Sequence, residues 1–242
     1  MNKTNKLVVC KLLMKLKLLF FLNLCFAGTQ VEFDDLVIKN NYIYLNESDN
    51  KYTGEVVGLA SGSVQYGLKE GKWTYYSSKN KIHKIINYKK GIKNGLQKEF
   101  YENKSLKNVG NYINGKRNGS HKSYFPNNQV QLELDFIDDT FHGLYRRYYE
   151  NGQLNVDSSY SNGKLDGSYI SYFVNGKLKN QTQYKNGVEF GNFYWFHSNG
   201  NIKNRGYLEN GLKQGIYEVF DYLGKRIIKK SCIKNKCELM KN

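Results

Sequence analysis

Cys232 and Cys237 in SCIKNKCE, the adjacent carboxylates Asp138-Asp139, and the histidines His83, His121, His142 and His197 have the types that nucleophilic, acid–base or metal chemistry uses. Two thiols with no histidine nearby fall short of the four ligands of a structural zinc site. An oxidising compartment turns such a pair into a disulfide, so a small closed loop at Cys232 and Cys237 is expected. Paired carboxylates suit acid–base work or calcium, but Asp138-Asp139 stand where neighbouring stretches write Asn-Gly, which favours a turn. The histidines fall at four different positions of a 24-residue period and form no shared row. No nucleophile elbow, phosphate-binding glycine loop or metal-spaced His/Glu motif occurs. The expectation is a chain that is not an enzyme and has no catalytic residue, metal or cofactor.

The period itself is carried by glycine: Gly71, Gly95, Gly119, Gly143, Gly167, Gly191 and Gly215 stand 24 residues apart. Fixed self-similarity of this length marks a stacked repeat in which each unit touches mainly its neighbours. Counting each glycine as position 0, position 5 is always a ring, Tyr76, Phe100, Tyr124, Tyr148, Tyr172, Phe196 and Phe220. Position 11 is aliphatic, from Ile82 to Ile202, until Arg226 breaks the row, and position 17 runs Tyr88, Tyr112, Phe136, Tyr160, Tyr184 and Leu208. Asn-Gly pairs such as Asn151-Gly152 and Asn162-Gly163 fall between these rows and signal tight reversals, since both residues tolerate positive φ. With one proline, 21 tyrosines and 13 phenylalanines, the composition also favours strands and turns. The fold class expected is all-β: an elongated single-layer antiparallel meander of about seven 24-residue hairpin repeats. Burying three side chains does not offset the entropy of ordering a whole unit, so the units must stack to fold.

Register decides which side chains share a face. A three-residue loop, Glu150-Asn151-Gly152, with a type I turn closed by a left-handed glycine, sets Tyr148 opposite Leu154. On that register positions 5, 11 and 17 are expected together on one face. The other face then carries Trp73, Tyr75, Tyr101, Phe125, Tyr145, Tyr149, Tyr169, Phe173, Phe193, Trp195 and Tyr217 beside lysines and arginines. These eleven are the candidate binding residues, because flat rings next to cations receive proteins, sugars or lipid headgroups. Cross-strand ladders that merely stiffen the sheet are the competing reading.

Residues 1–27 follow a different logic: five lysines and no acid, then the apolar run LLFFLNLCFA from Leu18 to Ala27. That is the pattern of a signal peptide, too short to span a membrane as a helix, with Gly28 as the mature start. Met14 is an alternative initiator, and acylation at Cys25 a less favoured anchor. The organisation expected is a signal over 1–27, opening strands and a shortened first repeat over 28–70, the array over 71–229, and a basic tail over 230–242 with the cysteine pair. Without the signal's five lysines the formal charge falls from +16 to +11, which attracts anionic partners without choosing among them. Both ends are expected to act as caps against edge-to-edge pairing.

Units of the form G-x-[WYF]-x-x-Y-[YF]-x-N-G-x-L followed by Y-x-N-G resemble MORN repeats, in particular the bacterial, antitoxin YwqK-like variant, over about Leu36 to Lys229. The segment Leu36 to Gly58 is similar to the stretch that opens such proteins. The resemblance implies a β-hairpin repeat fold; it also implies an antitoxin role for bacterial relatives and lipid-associated or scaffolding roles for eukaryotic ones. A signal peptide would carry the chain away from any cytosolic toxin. The reading is therefore an exported scaffold, periplasmic, cell-surface or secreted, that binds a protein partner, with an immunity-type role as one form. A module for envelope glycan or anionic lipid is the alternative. Export counts against nucleic acid, and no membrane span is expected in the mature chain.

Overall fold

Two kinds of turn alternate along the chain, and each draws on a different property of asparagine. The structure, a computed structural model, describes residues 30–78 and 80–240; the expected signal segment over 1–27, with Cys25, lies outside them. Its elements are β1 (Gln30–Glu32), a short 3-10 turn (Phe33–Asp35), β2 (Leu36–Lys39), β3 (Tyr42–Leu45), β4 (Gly54–Val57), β5 (Ala60–Gln65) and β6 (Leu68–Tyr76). The regular array follows with β7 (Ile82–Lys89), β8 (Ile92–Phe100), β9 (Leu106–Ile113), β10 (Lys116–Tyr124), β11 (Val130–Ile137), β12 (Thr140–Tyr148) and β13 (Leu154–Ser161). It ends with β14 (Lys164–Tyr172), β15 (Leu178–Lys185), β16 (Val188–Phe196), β17 (Ile202–Glu209), β18 (Leu212–Phe220), β19 (Arg226–Ile233) and β20 (Lys236–Leu239). From β4 to β20 each strand pairs antiparallel with its sequence neighbours, and β1 adds to β4 in parallel. Only β2 and β3 stand apart, as a separate hairpin. The basic segment expected as a tail is thus the closing hairpin of the sheet.

In the first turn of each unit Gly152 takes φ +83° and its N–H donates to Tyr149 O at 2.9 Å, while Tyr149 N donates to Gln153 O at 2.8 Å. This is the three-residue loop, and Tyr148 does lie opposite Leu154. Asn151 contributes its side chain instead: Oδ1 accepts from Gln153 N, and Nδ2 donates to Val174 O in the next unit. Asn103, Asn127, Asn175 and Asn199 repeat both bonds. In the second turn both residues are left-handed, as at Asn162 (φ +49°) and Gly163 (φ +78°), the two-residue hairpin geometry. There the second residue's N–H reaches back one unit, Gly163 N to Phe141 O at 2.9 Å. Asp138-Asp139 form the same turn, with Asp139 N on Arg117 O at 3.0 Å. Both edges of the ribbon are therefore stapled unit to unit.

Two bulges set the faces. Tyr148 opposes Leu154 but Arg147 opposes Val156, so Asn155 is an extra residue, and the same shift recurs in each unit from Tyr76 to Phe220. An extra residue reverses side-chain alternation beyond it. Position 17 is consequently carried away from positions 5 and 11, which corrects the expected three-row face. Tyr160 pairs with Gly143 and lies with Tyr145, whose ring centroid is 5.6 Å away. The second bulge explains the periodic glycine: Arg117 opposes Tyr112 and His121 opposes Gly110, leaving Asn118-Gly119-Ser120 against one residue, with Gly119 at φ +74°. This insertion is even and keeps alternation intact. The front face therefore carries positions 2, 4, 15 and 17, and the back face positions 3, 5, 11 and 14.

At the N-terminal end the front face is covered. Ile43 of β3 packs with Tyr52, Val56, Ala60, Val64 and Trp73, bordered by Val31, Phe33, Leu36 and Leu45. Main-chain bonds fasten this lid, Ile43 N to Gly67 O at 2.8 Å and Gly67 N to Tyr52 O at 2.7 Å. Trp73 is 0% exposed and donates Nε1–H to Ser63 O at 3.0 Å. At the other end Cys232 and Cys237 face each other across β19 and β20 and are joined.

Candidate binding surface

Beyond the lid the front face continues as a row of rings with no second layer above it among the described residues. Tyr112, His121, Phe136, Phe141 and Tyr160 follow one another with centroids 5.6, 5.0, 5.0 and 5.5 Å apart, and Tyr145 joins the last of them. Tyr169 and Tyr184 extend the row at 5.8 Å, and Phe193 stacks on Tyr217 at 6.2 Å. Spacings and tilts of this kind are the attractive ones for aromatic pairs. Cations lie over several rings: Arg117 is 4.0 Å from the centre of Phe136, and Lys213 is 4.2 Å from that of Tyr217.

Small residues beneath the rings let them lie flat. A Cβ on Gly110 would stand 1.9 Å from His121 Nδ1, and one on Gly206 would stand 2.8 Å from Phe193 Cε1. Ser158, paired with Tyr145 and with Tyr169, and Thr182, paired with Tyr169, bury hydroxyls with no protein partner. Burial pushes the phenols of Tyr160 and Tyr169 above the ordinary tyrosine range, so both remain hydrogen-bond donors. Tyr184 is raised as well, first by burial and then by its bond to Glu189 at 2.7 Å.

The eleven expected residues divide into three groups. Trp73, Tyr145, Tyr169, Phe193 and Tyr217 share position 2 of the front face, where Trp73 is core under the lid, Phe193 is 6% exposed and the tyrosines are half-buried. Tyr75 and Trp195 also lie on this face: Tyr75 Oη accepts from Lys69 Nζ at 2.7 Å beside Tyr88, whereas Trp195 is 48% exposed. Tyr101, Phe125, Tyr149 and Phe173 stand at the mouths of the first turns. Tyr101 Oη donates to Tyr124 O at 2.8 Å and Tyr149 Oη to Tyr172 O at 2.9 Å, so these rings brace one unit against the next. His197 occupies the same position and bonds Phe220 O at 3.1 Å, the counterpart of the bonds made by Tyr101 and Tyr149. His121 likewise stands in the ring row, with its Nε2–H on Asn111 O at 2.9 Å and its pKa lowered by burial. The rings missed from the sequence are those of position 17 and Phe141. The one trace of the bulge that redirects them is a mostly polar residue after each aliphatic, such as His83, Lys107, Gln131 and Asn155.

The back face holds ions. Lys122 pairs with Glu133 at 2.7 Å, Tyr148 Oη donates to Glu133 at 3.1 Å, and Arg205 and Arg226 share Glu218 at 2.7 and 3.1 Å. Arg226 thus replaces an aliphatic residue with an ion pair. Asp138 and Asp139 are occupied as turn residues, Asp139 accepting from Arg117 Nε at 2.7 Å, which holds its carboxyl below the usual range. Among the described residues no group of three or more His, Cys, Asp or Glu could hold a metal, and no helix is long and apolar enough to cross a membrane.

No curated protein matches the chain. Five successive segments, residues 69–90, 93–114, 117–138, 141–162 and 165–186, match the family described as the MORN repeat variant; each contains the periodic glycine and the whole first turn and ends on the first residue of the second hairpin turn. Over residues 69–186, then, the chain is similar to the MORN repeat variant, in keeping with its run of β-hairpins.

Proposed function

We propose that the protein is a noncatalytic scaffold that works after export and holds a partner protein against the open front face. One observation carries this reading: the surface that the β2–β3 lid closes over Trp73 continues past the lid as half-buried tyrosines, with Ser158 and Thr182 unpaired beneath them. Half-exposed tyrosines supply large rigid contacts at low entropic cost, together with a hydroxyl that donates. Export is supported by the lysine-rich, then apolar, residues 1–27. An immunity-type role, in which the partner is a toxin acting outside the cytosol, is the form of this reading that suits both features.

The test is recovery of partners from an envelope extract on the immobilised protein, beside a Tyr145→Ser, Tyr160→Ser, Tyr169→Ser variant shown to be folded. A discrete protein retained by the first and lost by the second is expected. Equal retention by both would move the interface elsewhere, and recovery of glycan or anionic lipid alone would replace the protein partner with an envelope ligand.

A further inference from the structure

The two ends of the sheet differ in charge and share an unpaired edge. Residues 30–59 carry Glu32, Asp34, Asp35, Glu47, Asp49 and Glu55, all exposed, against Lys39 and Lys51. Residues 223–240 carry Lys225, Arg226, Lys229, Lys230, Lys234 and Lys236 against Glu238. Glu32, Asp34 and Asp35 form no ion pair within the described residues, and neither do Lys225, Lys234 and Lys236. Among the described residues the outermost strands are β1, bonded only to β4, and β20, bonded only to β19, and each leaves one row of main-chain groups without a partner strand. The basic end also exposes apolar side chains: Ile233 is 66% and Leu239 72% exposed.

We propose that the acidic N-terminal edge of one copy docks on the basic C-terminal edge of a second copy, so that chains associate head to tail. This does not depend on the front face binding a partner. Like ends repel, which opposes head-to-head and tail-to-tail pairing, whereas unlike ends attract; charge thereby selects orientation. Side-chain alternation agrees across such a junction. Val31 points to the front face with Val56, and Leu239 points there opposite Lys230, on the same side as Cys232 and Cys237. Glu32 and Lys236 both point to the back, so an ion pair and an apolar contact fall on matching sides. Because the contact uses two different surfaces, a pair of copies leaves one edge of each kind free, and further copies can add to them.

Sedimentation equilibrium of the full chain tests this, at about 0.02 M and about 0.5 M salt, where the Debye length falls from about 20 Å to about 4 Å. Three proteins are compared: the natural chain, an N-terminal variant (Glu32→Lys, Asp34→Lys, Asp35→Lys) and a C-terminal variant (Lys225→Glu, Lys234→Glu, Lys236→Glu). The natural chain should at least roughly double its average mass at low salt and lose most of that gain at high salt. Each variant alone should stay monomeric, and an equimolar mixture of the two should associate again. Restoration on mixing also shows that neither variant lost association by misfolding. A natural chain that is monomeric at low salt, association that survives either set of substitutions, or a mixture that stays monomeric would each overturn the proposal.

Discussion

Trp73 and Tyr169 occupy the same position of the repeat, on the same face, with the same strand pairing, yet one is core and the other is surface. Trp73 has Ile43, Val56 and Val64 packed around it beneath the β2–β3 hairpin. Tyr169 has only its row neighbours, Tyr184 foremost. The sheet supplies identical positions along its length, and whether a ring there becomes interior depends on a second layer arriving. The repeat therefore specifies where rings stand, while the segment before it specifies which of them are closed off.

Truncating the two rings tests this most strongly. Trp73→Ala should cost about 3–5 kcal/mol, the range for a large buried ring, and Tyr169→Ala about 1–2 kcal/mol, both read from urea unfolding. Equal losses would abolish the distinction between a covered and an open end. The glycines beneath the rings sharpen it. A Cβ on Gly62 would stand 2.6 Å from Trp73 Cδ2, with the lid blocking the ring's retreat. Gly62→Ala should then destabilise by about 1–3 kcal/mol. Gly110→Ala meets His121, which has no lid above it and can swing outward; its loss should stay under about 1 kcal/mol, partly offset by a stiffer unfolded chain. A larger loss for Gly110→Ala would show that the open row is packed as rigidly as the closed one.

Smaller effects probe what holds the open part together. Asn151→Asp keeps the acceptor for Gln153 N but removes the donor to Val174 O, whereas Asn151→Ala removes both. The expected order of thermal stability is natural chain, then Asp, then Ala, spanning about 0.5–1.5 kcal/mol. The smallest effect concerns pH. Burial holds the His121 pKa below the ordinary histidine value, so the unfolded chain takes up the proton first. Its contribution is full above the unfolded pKa, about 6.5, and is lost progressively as pH falls from there through the lower pKa of the folded state. The melting temperature of the natural chain should drop more between about pH 7 and pH 5 than that of His121→Phe, and identical slopes would exclude His121 as the cause.

Much of this was legible in the residues. The unbroken glycine period and the Asn-Gly pairs gave the meander, and the three-residue loop put Tyr148 opposite Leu154 as expected. The faces were not legible, because one bulged residue after each aliphatic reverses alternation, and residues as different as His83, Lys107 and Ile227 fill that place. Bulges are set by backbone twist and pairing rather than by one side-chain type. Of the candidate rings, those of position 2 were placed rightly on a common face, whereas Tyr101 and Tyr149 proved to brace neighbouring turns through their hydroxyls. The lid escaped notice because Leu36, Ile43 and Leu45 carry no sign of what they will cover.

Since β5 through β19 each bond only to the strands before and after them in the chain, no distant segment must be found for the array to grow. Such local topology favours fast folding by accretion, one hairpin templating the next as synthesis delivers it. The lid, complete within the first 73 residues, is made early enough to serve as the starting block. Units could be gained or lost in evolution between that block and the closing disulfide hairpin without either end having to change.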